Sequence, residues 1–311
     1  MTDMKKRIAG ALFGVAVGDA LGGPVEFMGP EQIAEKYGRV DTMVGGGWLS
    51  LAPGEITDDT QMTLCVAEGI VEAPEAPIQA IGYRFIEWAN GGPKDIGGAC
   101  ASSIHNAQRL GGACPTSAEW EAAGKATQRS QGHPVEGNGA LMRTIYPGLF
   151  YQNSARAEYW AMKIAQMTHA GFKSTEACIL YSRMVNLITA SESQIEQSPR
   201  EFMAEHCEAV AEYFAAATAP EVVHGRLGGW VVDAMRIAVG SVATTGSFKD
   251  AVVTAVNLGG DADTNGAITG GLAGAWYGYD AIPSEWIAAL APDVREKLIQ
   301  LTNAAYDARR R

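Results

Sequence analysis

Two short acidic stretches stand out for the chemistry their residue types could perform. The first is Thr57-Asp58-Asp59-Thr60, and the second is Gly260-Asp261-Ala262-Asp263-Thr264-Asn265-Gly266. Each sets two carboxylates and neighbouring hydroxyls where an apolar helical period begins. The same residue types are ordinary helix caps, which accept backbone N–H bonds and complement the dipole. The second stretch opens like a calcium loop, D-x-D-x-N-G. Its twelfth position, where an EF-hand needs a bidentate glutamate, is Leu272. Were the two stretches to meet, four carboxylates would repel one another strongly unless cations lay between them. Oxygen-only ligands suit Mg²⁺ or Mn²⁺ rather than zinc, and the histidines and thiols show no zinc spacing. Two such cations could orient a substrate and activate a water.

The elements that would have to position these groups are helices. Apolar residues recur at three- and four-residue spacing over 7–22, 59–72, 77–90, 97–110, 155–168, 174–190, 199–217, 228–244, 248–257, 263–278 and 284–308. Strand-like alternation is nearly absent, and Gly29-Pro30, Pro53-Gly54, Gly91-Gly92-Pro93 and Ile282-Pro283 punctuate the segments. No linker or low-complexity tract interrupts the chain, so the expectation is one all-α domain spanning residues 1–311. Two of the helices carry glycine every fourth residue: Gly10, Gly14, Gly18 and Gly22, then Gly266, Gly270, Gly274 and Gly278. Each glycine costs a helix about 1 kcal/mol relative to alanine. A ridge without side chains lets another backbone approach closely. A membrane-type interface has the same pattern, but Asp19 and Asp263 fall within these runs. The two helices are therefore expected in the interior, where packing on each other would join the two acidic stretches.

Composition narrows the function classes. Hydrophobic residues make up 47% and charged residues 19% of the 311-residue chain, the balance of an ordinary globular protein. A net charge of −11 argues against nucleic acid and against an anionic membrane surface. Any anionic ligand must then be met by local donors. Cys65, Cys100, Cys114, Cys178 and Cys207 are odd in number and scattered, the pattern of a reduced, cytoplasmic protein. Lys5-Lys6-Arg7 before the apolar run Ile8–Val17 imitates a secretory signal, but Asp19 follows closely and that reading is not preferred.

Taken in order, Gly14 to Phe27 (GVAVGDALGGPVEF), Gly45 to Leu51 (GGGWLSL), Ile56 to Thr60 (ITDDT), Gly137 to Arg143 (GNGALMR), Thr168-His169 and Asn257 to Gly266 (NLGGDADTNG) resemble the ADP-ribosylglycohydrolase family over essentially the whole chain. The likeness is to its bacterial members that act on ADP-ribosylated dinitrogen reductase. The resemblance implies a compact orthogonal multi-helix domain with a binuclear Mg²⁺ or Mn²⁺ centre. Carried over position by position, it makes Thr57, Asp58, Asp59, Asp261, Asp263 and Thr264 the metal ligands. It places Glu26 beside the metals near the scissile bond and Asp95 near the substrate ribose. Gly97, Asn138, Gly139, His169 and Trp230 become substrate contacts, with the Gly-Asn-Gly backbone approaching a pyrophosphate and the indole stacking on adenine. Arg143 could neutralise phosphate or pair with an internal acid. Three positions depart from close relatives: Ala170-Gly171 replaces a histidine and proline, Gly98 a polar residue, and Asn265 a threonine.

The activity so implied is hydrolysis of the bond between ADP-ribose and a protein side chain, arginine first, in an ADP-ribosylated protein or ADP-ribosyl-arginine. Glu26, or after it Asp95, would position or deprotonate the water. Cleavage of another ADP-ribosyl bond (serine, O-acyl ester or nucleobase) and a non-catalytic ADP-ribose-binding relative are the alternatives. The oligomeric state is left open by the sequence.

Overall fold

A computed structural model of the chain describes residues 3–191, 195–206 and 228–311. The first part of the chain forms α1 (Asp3–Gly22), α2 (Pro30–Tyr37), α3 (Asp58–Glu72), α4 (Ile78–Asn90), α5 (Gly98–Gly111) and α6 (Ser117–Gln131). After a 3-10 turn over Asn138–Arg143 come α7 (Tyr146–Phe150), α8 (Ser154–Gln166), α9 (Phe172–Ala190) and α10 (Pro199–His206). The last part holds α11 (Val231–Thr244), α12 (Phe248–Asn257), α13 (Ala262–Tyr277), α14 (Ser284–Ala289) and α15 (Pro292–Arg309). The only strand-type pairings among the described residues are two isolated bridges, Gly46 with Leu51 and Gly137 with Trp230. The protein is all-α, as its periodicity indicates.

The glycine ridges explain the arrangement. Helix α1 is buried from Arg7 to Gly22 and α13 from Ala262 to Ala275, on every face. They pack antiparallel in a fixed register: Gly10 faces Gly274, Gly14 faces Gly270, Gly18 faces Gly266, and Gly22 faces Ala262. A Cβ at any of Gly10, Gly14, Gly18 or Gly22 would run into a backbone carbonyl of the other helix. The stretch Asp3–Val25 is long and apolar enough to cross a membrane by composition, and its apolar window lies wholly inside the fold. Helices α9, α11, α12 and α15 pack around the central pair, and one continuous cluster of buried side chains joins them, from Ile8 and Leu12 to Leu298 and Leu301.

Some elements escape the apolar period. Helix α6 buries Trp120, Ala123, Gly124 and Thr127, a correctly spaced stripe made mostly of small or polar residues, and starts at a Thr116–Glu119 capping box. The expected helix 284–308 divides into α14 and α15 because Pro292 opens a new helix after extended Leu290 and Ala291. Of the expected helix 199–217, Pro199–His206 is described; the remainder, with Cys207, lies outside the described residues.

Gly14→Ala or Gly270→Ala must displace the opposing carbonyl, so each is expected to destabilise the protein by about 1–3 kcal/mol or more. Gly246→Ala, where a Cβ meets open space, should stay within about 0.5 kcal/mol. Denaturant melts of the three variants compare these directly; equal stability of Gly14→Ala and Gly246→Ala would contradict the packing argument.

Candidate active site and metal centre

The start of α3 is capped from another helix. Asp19, fully buried on α1, accepts the Thr57 N–H at 3.1 Å, the Thr57 hydroxyl at 2.9 Å and the Thr60 N–H at 3.1 Å. The Thr60 hydroxyl donates to it as well. Burial pushes Asp19 up to about 6 despite these donors. Thr57 is the formal N-cap residue but makes no side-chain cap. With Asp19 on α1 taking the Thr57 and Thr60 N–H groups, Asp58 and Asp59 are free to face a cleft instead. Asp261 likewise begins α13 without capping it.

A second backbone connection brings Glu26 to the same place. The Phe27 N–H donates to the Gly260 carbonyl at 2.6 Å, and the Gly260 N–H to the Met28 carbonyl at 2.8 Å. This pairing requires left-handed backbone at Gly259 and Gly260, and at Phe27 (φ 63°), where a side chain makes it unusual. Glu26 thereby joins Asp261 and Asp263, with one oxygen of each lying within 4.8 Å of the others. The Thr264 hydroxyl reaches across to Asp59 Oδ2 at 3.3 Å, as does the Thr57 hydroxyl at 3.3 Å. The two acidic stretches therefore converge, 205 residues apart in the chain.

Burial and mutual repulsion raise Glu26, Asp58, Asp59 and Asp263 together. Asp58 is pushed up to about 7, by burial first and then by Asp95, Asp19 and Asp261. Glu26 rises to about 8, again chiefly through burial, although the Trp48 indole N–H donates to its Oε2 at 2.6 Å. Asp59 and Asp263 lie well above the usual carboxylate range for the same reasons. Asp59 Oδ1 is buried without any hydrogen-bond partner. A set of carboxylate and hydroxyl oxygens, one of them orphaned, fits hard divalent cations. Glu26 belongs to this acidic group as closely as the aspartates, so its position suits ligation as well as catalysis.

The cleft has a volume of about 420 Å³, and the rest of its lining is less acidic. Asp95 lines it, its Oδ1 accepting the Ile96 N–H at 2.8 Å; α5 is capped by Gly97, so Asp95 is not the helix cap. The Gly97 N–H serves the Asp58 carboxylate, and Gly98 lines the cleft with open space where a side chain would project. The Asn138 amide donates to Asp261 Oδ2 at 2.8 Å. The backbone of 136–138 pairs with 229–231 through Asn138 N–H to Gly229 and Val231 N–H to Glu136. Gly139 and His169 also line the cleft. Trp230 is paired with Gly137 but lies outside the lining, partly exposed with Arg236 over its ring. Arg143 is fully buried behind the lining, against the Phe85 ring, and among the described residues it meets no carboxylate.

Comparison with known proteins agrees with this arrangement. The family model described as ADP-ribosylglycohydrolase matches residues 1–311. An ADP-ribosyl-[dinitrogen reductase] glycohydrolase of Rhodospirillum rubrum is 33% identical over 96% of this chain and 95% of its own. An ADP-ribosylarginine hydrolase of Pseudomonas putida is 30% identical over 92% of this chain and 74% of its own. A solved structure titled ADP-ribosylglycohydrolase-related protein complex superposes with a TM-score of 0.76 at 28% identity, covering 99% of both chains. The chain belongs to the ADP-ribosylglycohydrolase family and is an enzyme of that hydrolase class.

Two residues at the site carried no role in the sequence. Asp19 registered only as a charge inside an apolar helix, and that was its signal, since an unpaired buried acid is rare. Trp48 lay within the GGGWLSL segment, where nothing local marks it as the partner of Glu26.

The raised acids give a pH prediction with a definite sign. Each holds its proton more tightly in the folded than in the unfolded protein, so stability falls as pH rises from roughly 4 towards 8. Cation-free protein should melt at a lower temperature at about pH 8 than at about pH 5, and millimolar Mg²⁺ or Mn²⁺ should restore stability mainly at the higher pH. A melting temperature indifferent to both variables would count against the clustered acids as a cation site.

Proposed function

We propose that this enzyme removes ADP-ribose from arginine side chains of ADP-ribosylated proteins, with two divalent cations, Mg²⁺ or Mn²⁺, held by Thr57, Asp58, Asp59, Asp261, Asp263 and Thr264. The observation that carries the reading is the contact of Thr264 with Asp59, which gathers the acids of both stretches around one cleft. The substrates for which the two relatives are named, ADP-ribosyl-dinitrogen reductase and ADP-ribosylarginine, favour the arginine bond. Four described cysteines are free thiols, in keeping with a cytoplasmic protein.

Bound cations would offset the mutual repulsion of the carboxylates and fix two ribose hydroxyls in place. Glu26 is held by Trp48 at Oε2, leaving its other oxygen to take the proton of a water that attacks the anomeric carbon. The bond from that carbon to the guanidine nitrogen breaks, and its electron pair leaves with the nitrogen. Positive charge growing on the ribose ring is stabilised by the surrounding carboxylates. Asp95 is the second candidate for the base, since its Oδ1 is engaged by Ile96 and the rest of the carboxylate faces the cleft.

The direct test incubates the protein with ADP-ribosyl-arginine and Mg²⁺ or Mn²⁺, with and without EDTA, and follows free ADP-ribose. Release that EDTA abolishes is expected; no release at saturating Mn²⁺, with ADP-ribose still bound, would identify a non-catalytic binder. A panel with serine-linked and O-acyl ADP-ribose then sets the linkage. Asp59→Ala or Asp263→Ala should lose cation binding and turnover together. Glu26→Gln should keep measurable cation binding while kcat falls by roughly 10²–10⁴.

A further inference from the structure

Where His169 and Gly139 line the cleft, three buried side chains form a chain of hydrogen bonds that the proposed chemistry does not use. The Arg143 guanidinium donates through Nη2 to the Thr168 hydroxyl at 2.7 Å, and through Nη1 to the Gly139 carbonyl. Thr168 Oγ1 lies 2.7 Å from His169 Nδ1. All three are nearly or fully enclosed, with Thr168 and Arg143 at 0% exposure and His169 at 3%. The far edge of the imidazole, at Nε2, sits against Gly137 and Gly139, where a Cβ would crowd it at 3.2–3.3 Å.

The direction of the bonds follows from elementary donor chemistry. A guanidinium can only donate, so Thr168 must accept from Arg143. The single hydroxyl proton is then available to His169 Nδ1 or to the Cys100 thiol, which also lies within reach of Thr168. An imidazole nitrogen at 2.7 Å is much the better acceptor. Thr168 has a second lone pair for an Nδ1–H, but its own proton would then fall to the weak thiol acceptor; the arrangement that uses the better acceptor has Nδ1 accepting and the ring proton on Nε2. Burial and the neighbouring Arg143 charge push His169 down to about 3, so it is an uncharged donor.

We propose that Arg143 and Thr168 are positioning residues that lock His169 in its Nε2–H tautomer, so that the ring donates to an anionic oxygen of the bound ligand. This rests on the ADP-ribose reading above, and it supplies the local donors that a chain of net charge −11 needs for an anion. The carboxylates of the lining, Glu26, Asp58, Asp59, Asp261 and Asp263, repel an anion, which leaves the neighbourhood of His169 for the diphosphate. Arg143, which meets no carboxylate among the described residues, contributes a positive charge two hydrogen bonds behind His169, worth more in a buried setting than at the surface.

The test reads the tautomer itself. Two-bond ¹H–¹⁵N spectra of the full-length protein, with the His169 signal identified by its loss in His169→Gln, should show Nε2–H in the free protein. Thr168→Val, which keeps the shape but has no hydroxyl, should abolish that pattern and weaken ADP-ribose binding roughly 10- to 100-fold by calorimetry, the range for losing a hydrogen bond to a charged group. Thr168→Ser should restore both. An Nδ1–H or doubly protonated ring in the wild type, or an unchanged tautomer and affinity in Thr168→Val, would overturn the proposal. Turnover of ADP-ribosyl-arginine is followed in parallel. Turnover with an Nδ1–H ring removes the relay alone, whereas Nε2–H with ADP-ribose binding and no turnover supports the relay and removes the hydrolase reading.

Discussion

The close antiparallel approach of α1 and α13 is the constraint from which the site follows. Helices with side chains at the contact stand about 8–10 Å apart, whereas glycine faces let the backbones come closer. The register is fixed because Gly10, Gly14 and Gly18 fill the space opposite the carbonyls of Gly274, Gly270 and Gly266, and the reverse. That register places Gly22 against Ala262, so Asp19, one turn earlier on α1, and Asp263 at the start of α13 belong to one small region. The intrinsic cost of so many helical glycines is offset by dispersion contacts along both backbones and by burial of the surrounding apolar side chains.

The buried acids divide according to how fully they are hydrogen-bonded. Asp19 has donors from two backbone N–H groups and two hydroxyls, and is enclosed by them; its work is to end the orphaned N-terminus of α3. Asp59, equally buried, has on one oxygen the Thr264 hydroxyl and a Thr57 hydroxyl whose single proton is shared with the nearer Asp19, and nothing on the other. A buried carboxylate left half satisfied costs stability unless something else completes it. The contrast separates a structural aspartate from one kept available, and the two lie within one hydrogen-bonded cluster.

The lining of the cleft is electrically mixed. Its carboxylates, most of them raised by burial and mutual repulsion, suit cations and the hydroxyls of a sugar. His169, uncharged and backed by the buried Arg143 guanidinium, suits an anion. The overall negative charge of the protein makes this local polarity necessary, since the general field repels anions.

What the sequence by itself determined was what depends on neighbours in the chain: helical period, glycine ridges at four-residue spacing, and acids paired at helix starts. Those signals were enough for the all-α fold and for the meeting of the two acidic stretches, while the family rested on the ordered motifs from Gly14 to Gly266. Helix α6 shows the limit of that signal, because its buried stripe is made of alanine, glycine and threonine and carries little hydrophobic contrast. Tertiary structure alone decided which group meets which. Asp19 caps a helix 38 residues away, Trp48 holds Glu26 across 22 residues, Asn138 binds Asp261 across 123, and Arg143 reaches Thr168 across 25. A side chain's polar type is written locally, but its partner is chosen by the packing of distant backbones, and no period in the sequence records that choice.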